Sequence, residues 1–111
     1  MKNLYFYLIL SLFLLLSVNN LKAQTGDTTP VLPTGSGTEV EPYIIANLSN
    51  LLWLSENSQH WDKYYLQTAD IDASTTSTWN NDEGWIPIGT SVDPFTGNYN
   101  GDGYTIDGLH V

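Results

Sequence analysis

The first long stretch of the chain is apolar throughout. "LYFYLILSLFLLLSV" runs from Leu4 to Val18, preceded by Lys2 and followed by the polar "NNLKAQ". A basic start, an apolar run shorter than the roughly 20 residues that span a bilayer, and the small Ala23 predict a secretory signal peptide over 1–23. Cleavage after Ala23 would leave Gln24 first. Residues 24–40 then change character. "QTGDTTPVLPTGSGT" is rich in Thr, Gly and Pro and has almost no apolar periodicity, which predicts a flexible leader, ordered only near its end.

Alternation resumes from residue 41. "PYIIA" at 42–46 is β-branched and aromatic and reads as a strand opened by Pro42. In "NLSNLLWLSENSQ" the positions Leu48, Leu51, Leu52 and Ser55 follow helical spacing, and Leu54 widens the stripe. A helix is predicted from about Leu48 to about Asn57, with Asn47 or Ser49 as its cap. It is too short to stand alone, so its leucines must lie on a core.

"KYYLQTADI" at 63–71 predicts a second strand, with Tyr65, Gln67, Ala69 and Ile71 on one face and Tyr64, Leu66, Thr68 and Asp70 on the other. The pattern leaves the inner face open. A polar loop carrying Trp79 spans 72–84. Ile86 and Ile88 flank Pro87, which suits a very short or edge strand. Gly89 to Pro94 is a turn. Phe95, Gly97 and Tyr99 share a face. "NGDG" at 100–103 is a tight-turn signal, and Asp107-Gly108 resets the side chains between Ile106 and Leu109. A β solenoid that turns corners and a flat sheet of hairpins fit this spacing equally.

Charge narrows the partners. Twelve acidic residues face three basic ones, for a formal net charge of −9. Lys2 and Lys22 lie in the predicted signal peptide, so Lys63 remains the one basic residue after its removal. Such a chain repels phosphate backbones and anionic lipid surfaces, which argues against nucleic acid and membrane partners. With no cysteine there is no disulfide, no lipid-bearing cysteine and no thiol nucleophile. The aromatics between Tyr43 and Tyr104 are too many for a disordered tail.

Three runs taken together carry a family likeness. "YYLQTADIDASTTSTWN" at 64–80, "GWIPIG" at 84–89 and "FTGNYNGDGYTIDGL" at 95–109 resemble the opening of secreted, adhesin-like bacterial proteins that carry the GLUG motif, common among Bacteroidetes-type bacteria. Asn100 stands where relatives often have Asp. The resemblance implies a mostly-β fold, the start of a right-handed parallel β-helix over 41–111 with a short N-terminal capping helix. It further implies an incomplete fragment whose solenoid continues C-terminal to Val111. It implies a non-catalytic module of a secreted or cell-surface protein acting in adhesion, with a glycan or host-matrix ligand. The alternative is the N-terminal segment of a larger secreted enzyme, a polysaccharide-degrading β-helix or surface peptidase, with its active site beyond Val111.

The residues themselves offer little chemistry. His60 and His110 have no local nucleophile partner and no "GxSxG" occurs, so catalytic residues are expected to be none. "NYNGDG" at 98–103 partly imitates a calcium loop, but Leu109 stands where an EF-hand needs its bidentate Glu, and a turn is the favoured reading. Asp70 and Asp72, with Asp82 or Glu83, would be the calcium ligands if there were any, although no metal or cofactor site is expected. Lys63 alone is a poor basis for a polysaccharide lyase. Trp79 and Trp85 suit a core, or less readily a sugar-stacking platform.

Overall fold

The computed structural model describes residues 23–111. The signal-peptide segment therefore lies outside the described residues, apart from its last position, Ala23. Among the described residues there are five short strands: β1 (Tyr43–Ile45), β2 (Tyr64–Gln67), β3 (Ile71–Asp72), β4 (Asn98–Asn100) and β5 (Ile106–Asp107). They are joined by helix α1 (Leu48–Glu56), 3-10 turns at Ser58–His60 and Ser74–Thr78, and the short turn α2 (Trp79–Asp82), whose Asn80 and Asn81 are left-handed.

Helix α1 forms where its apolar spacing predicts. Asn47 caps it, its Oδ1 accepting from the Asn50 amide at 2.9 Å, which satisfies a donor that no helical carbonyl can reach. No glycine ends the helix. Instead, side chains take up its last carbonyls. Asn57 Nδ2 donates to Trp53 O at 2.6 Å, and Trp61 Nε1 donates to Leu54 O at 2.7 Å. Leu48, Leu51, Leu52 and Leu54 are buried, joining Ile45, Trp61, Tyr65, Ile71, Trp79 and Trp85 in one core.

The strands form two small sheets, ordered β1-β2-β4 and β3-β5. Every pairing is parallel, so the flat sheet of hairpins is not found. "NGDG" makes a tight turn, with Tyr104 N donating to Gly101 O at 2.9 Å and positive φ at Asp102 and Gly103. Yet its flanking strands do not pair with each other. They lie beside β2 and β3 instead. Tyr43, Tyr65 and Tyr99 are cross-strand neighbours; the Tyr43 ring lies tilted on Tyr65 at 5.5 Å and the Tyr99 ring stacks on it at 6.5 Å.

The expectation of a mostly-β right-handed parallel β-helix is corrected here. Strands of two to four residues sit in separate three- and two-stranded sheets, alongside a nine-residue helix and a 3-10 turn, and among the described residues no solenoid is formed. The physical reason is that polar side chains bond to the backbone between the strands and end each ladder after a few residues. Asp72 Oδ1 takes the Ser74 amide at 3.0 Å, Asp70 Oδ1 takes the Thr105 amide at 2.9 Å, and Asn100 Oδ1 takes the Asp102 amide at 2.9 Å. The predicted strand 63–71 is accordingly split into β2 and β3. Ile86 and Ile88 belong to no strand.

The predicted leader is tied to the rest by hydrogen bonds. Asn50, a buried amide, donates to Val31 O at 3.1 Å and accepts from Ala46 N at 3.1 Å. Thr34 O accepts from Ile44 N at 2.9 Å, and Gly37 O from Tyr64 N at 3.0 Å. Gly26 lies against the Trp79 indole, where a Cβ would clash with the ring.

Candidate functional site

Trp79, Trp85, Asp70 and Asp72, singled out for chemistry, serve structure. Trp79 and Trp85 are 1% and 5% exposed and stack on each other at 5.8 Å, so neither presents a face to a sugar. Trp79 Nε1 donates to Asp27 Oδ1 at 3.1 Å. Two Thr75 hydroxyl contacts to Asp27, at 2.9 and 3.0 Å, and this indole hold the Asp27 carboxyl below its ordinary 3.8. Asp72 is likewise lowered by its bonds to Ser74. Among the described residues no three His, Asp or Glu side chains come together in a metal-holding group. His60 packs its ring on Trp53 at 5.0 Å and Tyr43 at 5.9 Å, with its Nδ1 buried and unpartnered. His110 lends its backbone, accepting from Trp85 N at 2.7 Å and donating to Thr76 Oγ1 at 3.0 Å. Lys63 pairs with its neighbour Asp62 at 3.1 Å.

Two of the surface openings bear on binding. The first is an apolar opening of about 310 Å³ beside α1, β4 and β5. Leu51, Leu54, Trp85, Phe95, Tyr99 and Ile106 form most of its wall. Bonded to the Tyr99 of this wall, Gln67 is 1% exposed and fully engaged. Its Nε2 donates to Ala69 O and Thr105 O at 2.9 Å each, and its Oε1 accepts from the Tyr99 hydroxyl at 2.9 Å. One amide thus clamps the β2–β3 and β4–β5 turns together. Burial pushes the Tyr99 phenol up to about 12, so it stays a donor across the ordinary pH range.

The second feature is a groove of about 400 Å³ on the outer face of the β1-β2-β4 sheet. β2 alternates, so Tyr65 and Gln67 point in while Tyr64 points out, with 38% of its surface exposed. Tyr64 is the cross-strand neighbour of Asn98, and Leu66 of Asn100, which places both exposed asparagines beside the ring. Glu39 and Pro42 close the other side. Among the described residues the Asn98 amide has no hydrogen-bond partner, whereas Asn100 uses its Oδ1 on the Asp102 turn. An exposed planar ring flanked by amides and a carboxylate offers one stacking face with donors and acceptors around it. The sequence carried part of this signal in the alternation of 63–71. It could not say that Tyr64 rather than Tyr65 faces out, nor that Asn98 lies beside it.

No family model and no solved structure matches the chain. The chain is similar to Halomucin of Haloquadratum walsbyi, 42% identical over 82 residues. That match covers 69% of this chain and 1% of Halomucin, so the chain spans about a hundredth of that relative's length. Likeness to a protein named as a mucin agrees with a secreted or surface location at that coarse level.

Proposed function

We propose that this chain is a non-catalytic module of a secreted or cell-surface protein, and that it binds neutral glycans through the outer groove at Tyr64. The observation that carries the reading is the Tyr64 ring lying exposed between Asn98, Asn100 and Glu39. A sugar ring would stack its C–H face on Tyr64. Asn98 would meet hydroxyls with its uncommitted amide, and Glu39 would accept from them. The acidity of the chain and the pairing of Lys63 with Asp62 disfavour uronate or sialylated ligands by like-charge repulsion. The export pattern at the N-terminus, the resemblance to GLUG-motif adhesin-like proteins and the Halomucin match support a surface setting. Asp70, Asp72, Trp79 and Trp85 are engaged in turns and core, which supports placing the binding face at the outer groove.

The experiment is a glycan array probed with the exported chain, side by side with Tyr64→Ala and Asn98→Ala. Binding concentrated on uncharged glycans and lost about tenfold or more in Tyr64→Ala is expected, since the ring supplies the stacking face. Binding that survives Tyr64→Ala would place the ligand elsewhere. No binding to any glycan would end the proposal.

A further inference from the structure

Gln24, the residue expected to come first after export, is held by hydrogen bonds to Glu56, Ser55, Asn80 and Ile86. Its backbone nitrogen donates to Glu56 Oε1, at the end of α1, at 3.1 Å. Its side-chain Nε2 donates to Ser55 Oγ at 2.9 Å. Its Oε1 accepts from the Ile86 amide at 2.8 Å and from Asn80 Nδ2 at 3.5 Å. The next residue continues the anchor, with Thr25 N donating to Asn80 Oδ1 at 2.8 Å and Thr25 O accepting from Asn80 N at 3.0 Å. Asn80 is held in the left-handed region, φ 53, to make these bonds. The Ala23 before them is exposed.

We infer that Gln24 is the mature N-terminus, that removal of 1–23 converts its nitrogen into an ammonium paired with Glu56, and that the fold keeps this glutamine from cyclising. Hydrolysis of the Ala23–Gln24 bond consumes one water. It leaves a carboxylate on Ala23 and an α-ammonium on Gln24, in place of a neutral amide. The contact to Glu56 then becomes a charge-assisted one. An N-terminal glutamine has a competing fate. Its free α-amine attacks its own Cδ, the C–N bond of the side-chain amide breaks, ammonia leaves, and a five-membered lactam remains.

That step needs the amine deprotonated and the amide carbon folded back onto it. In the fold the amide is drawn away to Ser55 and Ile86, and the nitrogen is occupied by Glu56. Cyclisation would abolish both the ammonium and the Nε2 donor. It must therefore wait for the strap to open. This inference rests on the export half of the proposed function and not on glycan binding.

The test is to express the full chain in a bacterial host with a secretory pathway and to measure the intact mass of the exported product over time. A mass beginning at Gln24, stable in the folded protein and falling by one ammonia about tenfold or more faster in urea, is expected. An unprocessed precursor would overturn the export reading and this inference with it. A processed chain that starts elsewhere, or that loses ammonia as fast folded as unfolded, would overturn this inference alone. Glu56→Gln supplies a second readout. It should lower the thermal midpoint of the product starting at Gln24, and lower it less in a chain that retains residues before Gln24. Equal losses in both contexts would mean that Glu56 serves a neutral amide only, against the inference.

Discussion

Gln67 gives the sharpest prediction about what holds the two sheets together. Replacing it with Leu keeps much of the volume and removes three hydrogen bonds. Thr105 O keeps a partner, since it also accepts from Ile71 N at 2.9 Å. Ala69 O and the Tyr99 hydroxyl lose theirs. Each stranded group costs about 1–3 kcal/mol where water cannot reach it, and Tyr99 is only partly covered. The expected loss for Gln67→Leu is therefore about 2–4 kcal/mol. For a domain of this size that is a fall in Tm of roughly 10–25 °C. The assay is thermal and urea unfolding in a double-mutant cycle with Tyr99→Phe. Alone, Tyr99→Phe should cost about 1 kcal/mol, because it leaves Gln67 Oε1 unpaired. In the Gln67→Leu background it should cost close to nothing, giving a coupling of about 0.5–1.5 kcal/mol. Strict additivity, or a Gln67→Leu chain as stable as the parent, would refute the clamp.

Other predictions follow the same physics. Leu52, 2% exposed on the inner stripe of α1, should cost about 2–5 kcal/mol when replaced by Ala, read as a shift of the urea midpoint. Gly97 has the Lys63 and Trp61 carbonyls directly over its Cα. Gly97→Ala should push β4 off β2 and cost about 1–3 kcal/mol, with slower exchange protection lost first at the Asn98 amide. Asp27 has its native pKa lowered by Thr75 and Trp79, so its contribution is full above the ordinary 3.8 and is lost as pH falls through the lower native value. The Tm gap between the parent and Asp27→Asn should be widest near neutral pH and close in strong acid; a gap constant with pH would remove the carboxylate from the account.

Much of the local structure was legible in residue order alone. The apolar spacing of Leu48, Leu51 and Leu52 and the capping chemistry of Asn47 place α1 within a residue of its observed bounds, because a helix is set by contacts three and four residues apart. The tight turn at "NGDG" follows from the same local logic. Acidity, the lack of cysteine and the amphipathic runs likewise belong to the chain as written.

What lies beside what was decided only on folding. The alternation of 63–71 offered two faces, and Tyr65 with Gln67 went inward because a buried amide could meet Tyr99, Ala69 and Thr105 at once. None of those partners but Ala69 is near Gln67 in sequence. The same holds for Trp79 and Trp85, read first as core, whose burial is completed only when Gly26 and Asp27 arrive from the leader to cover the first. The mostly-β expectation failed for a related reason. Propensity marked strand-forming residues correctly, but Asp70, Asp72 and Asn100 bonded to backbone groups and ended the ladders early. A side chain's reach along its own segment is written in the sequence. Its choice among partners tens of residues away is an energy difference that exists only once the chain has closed on itself.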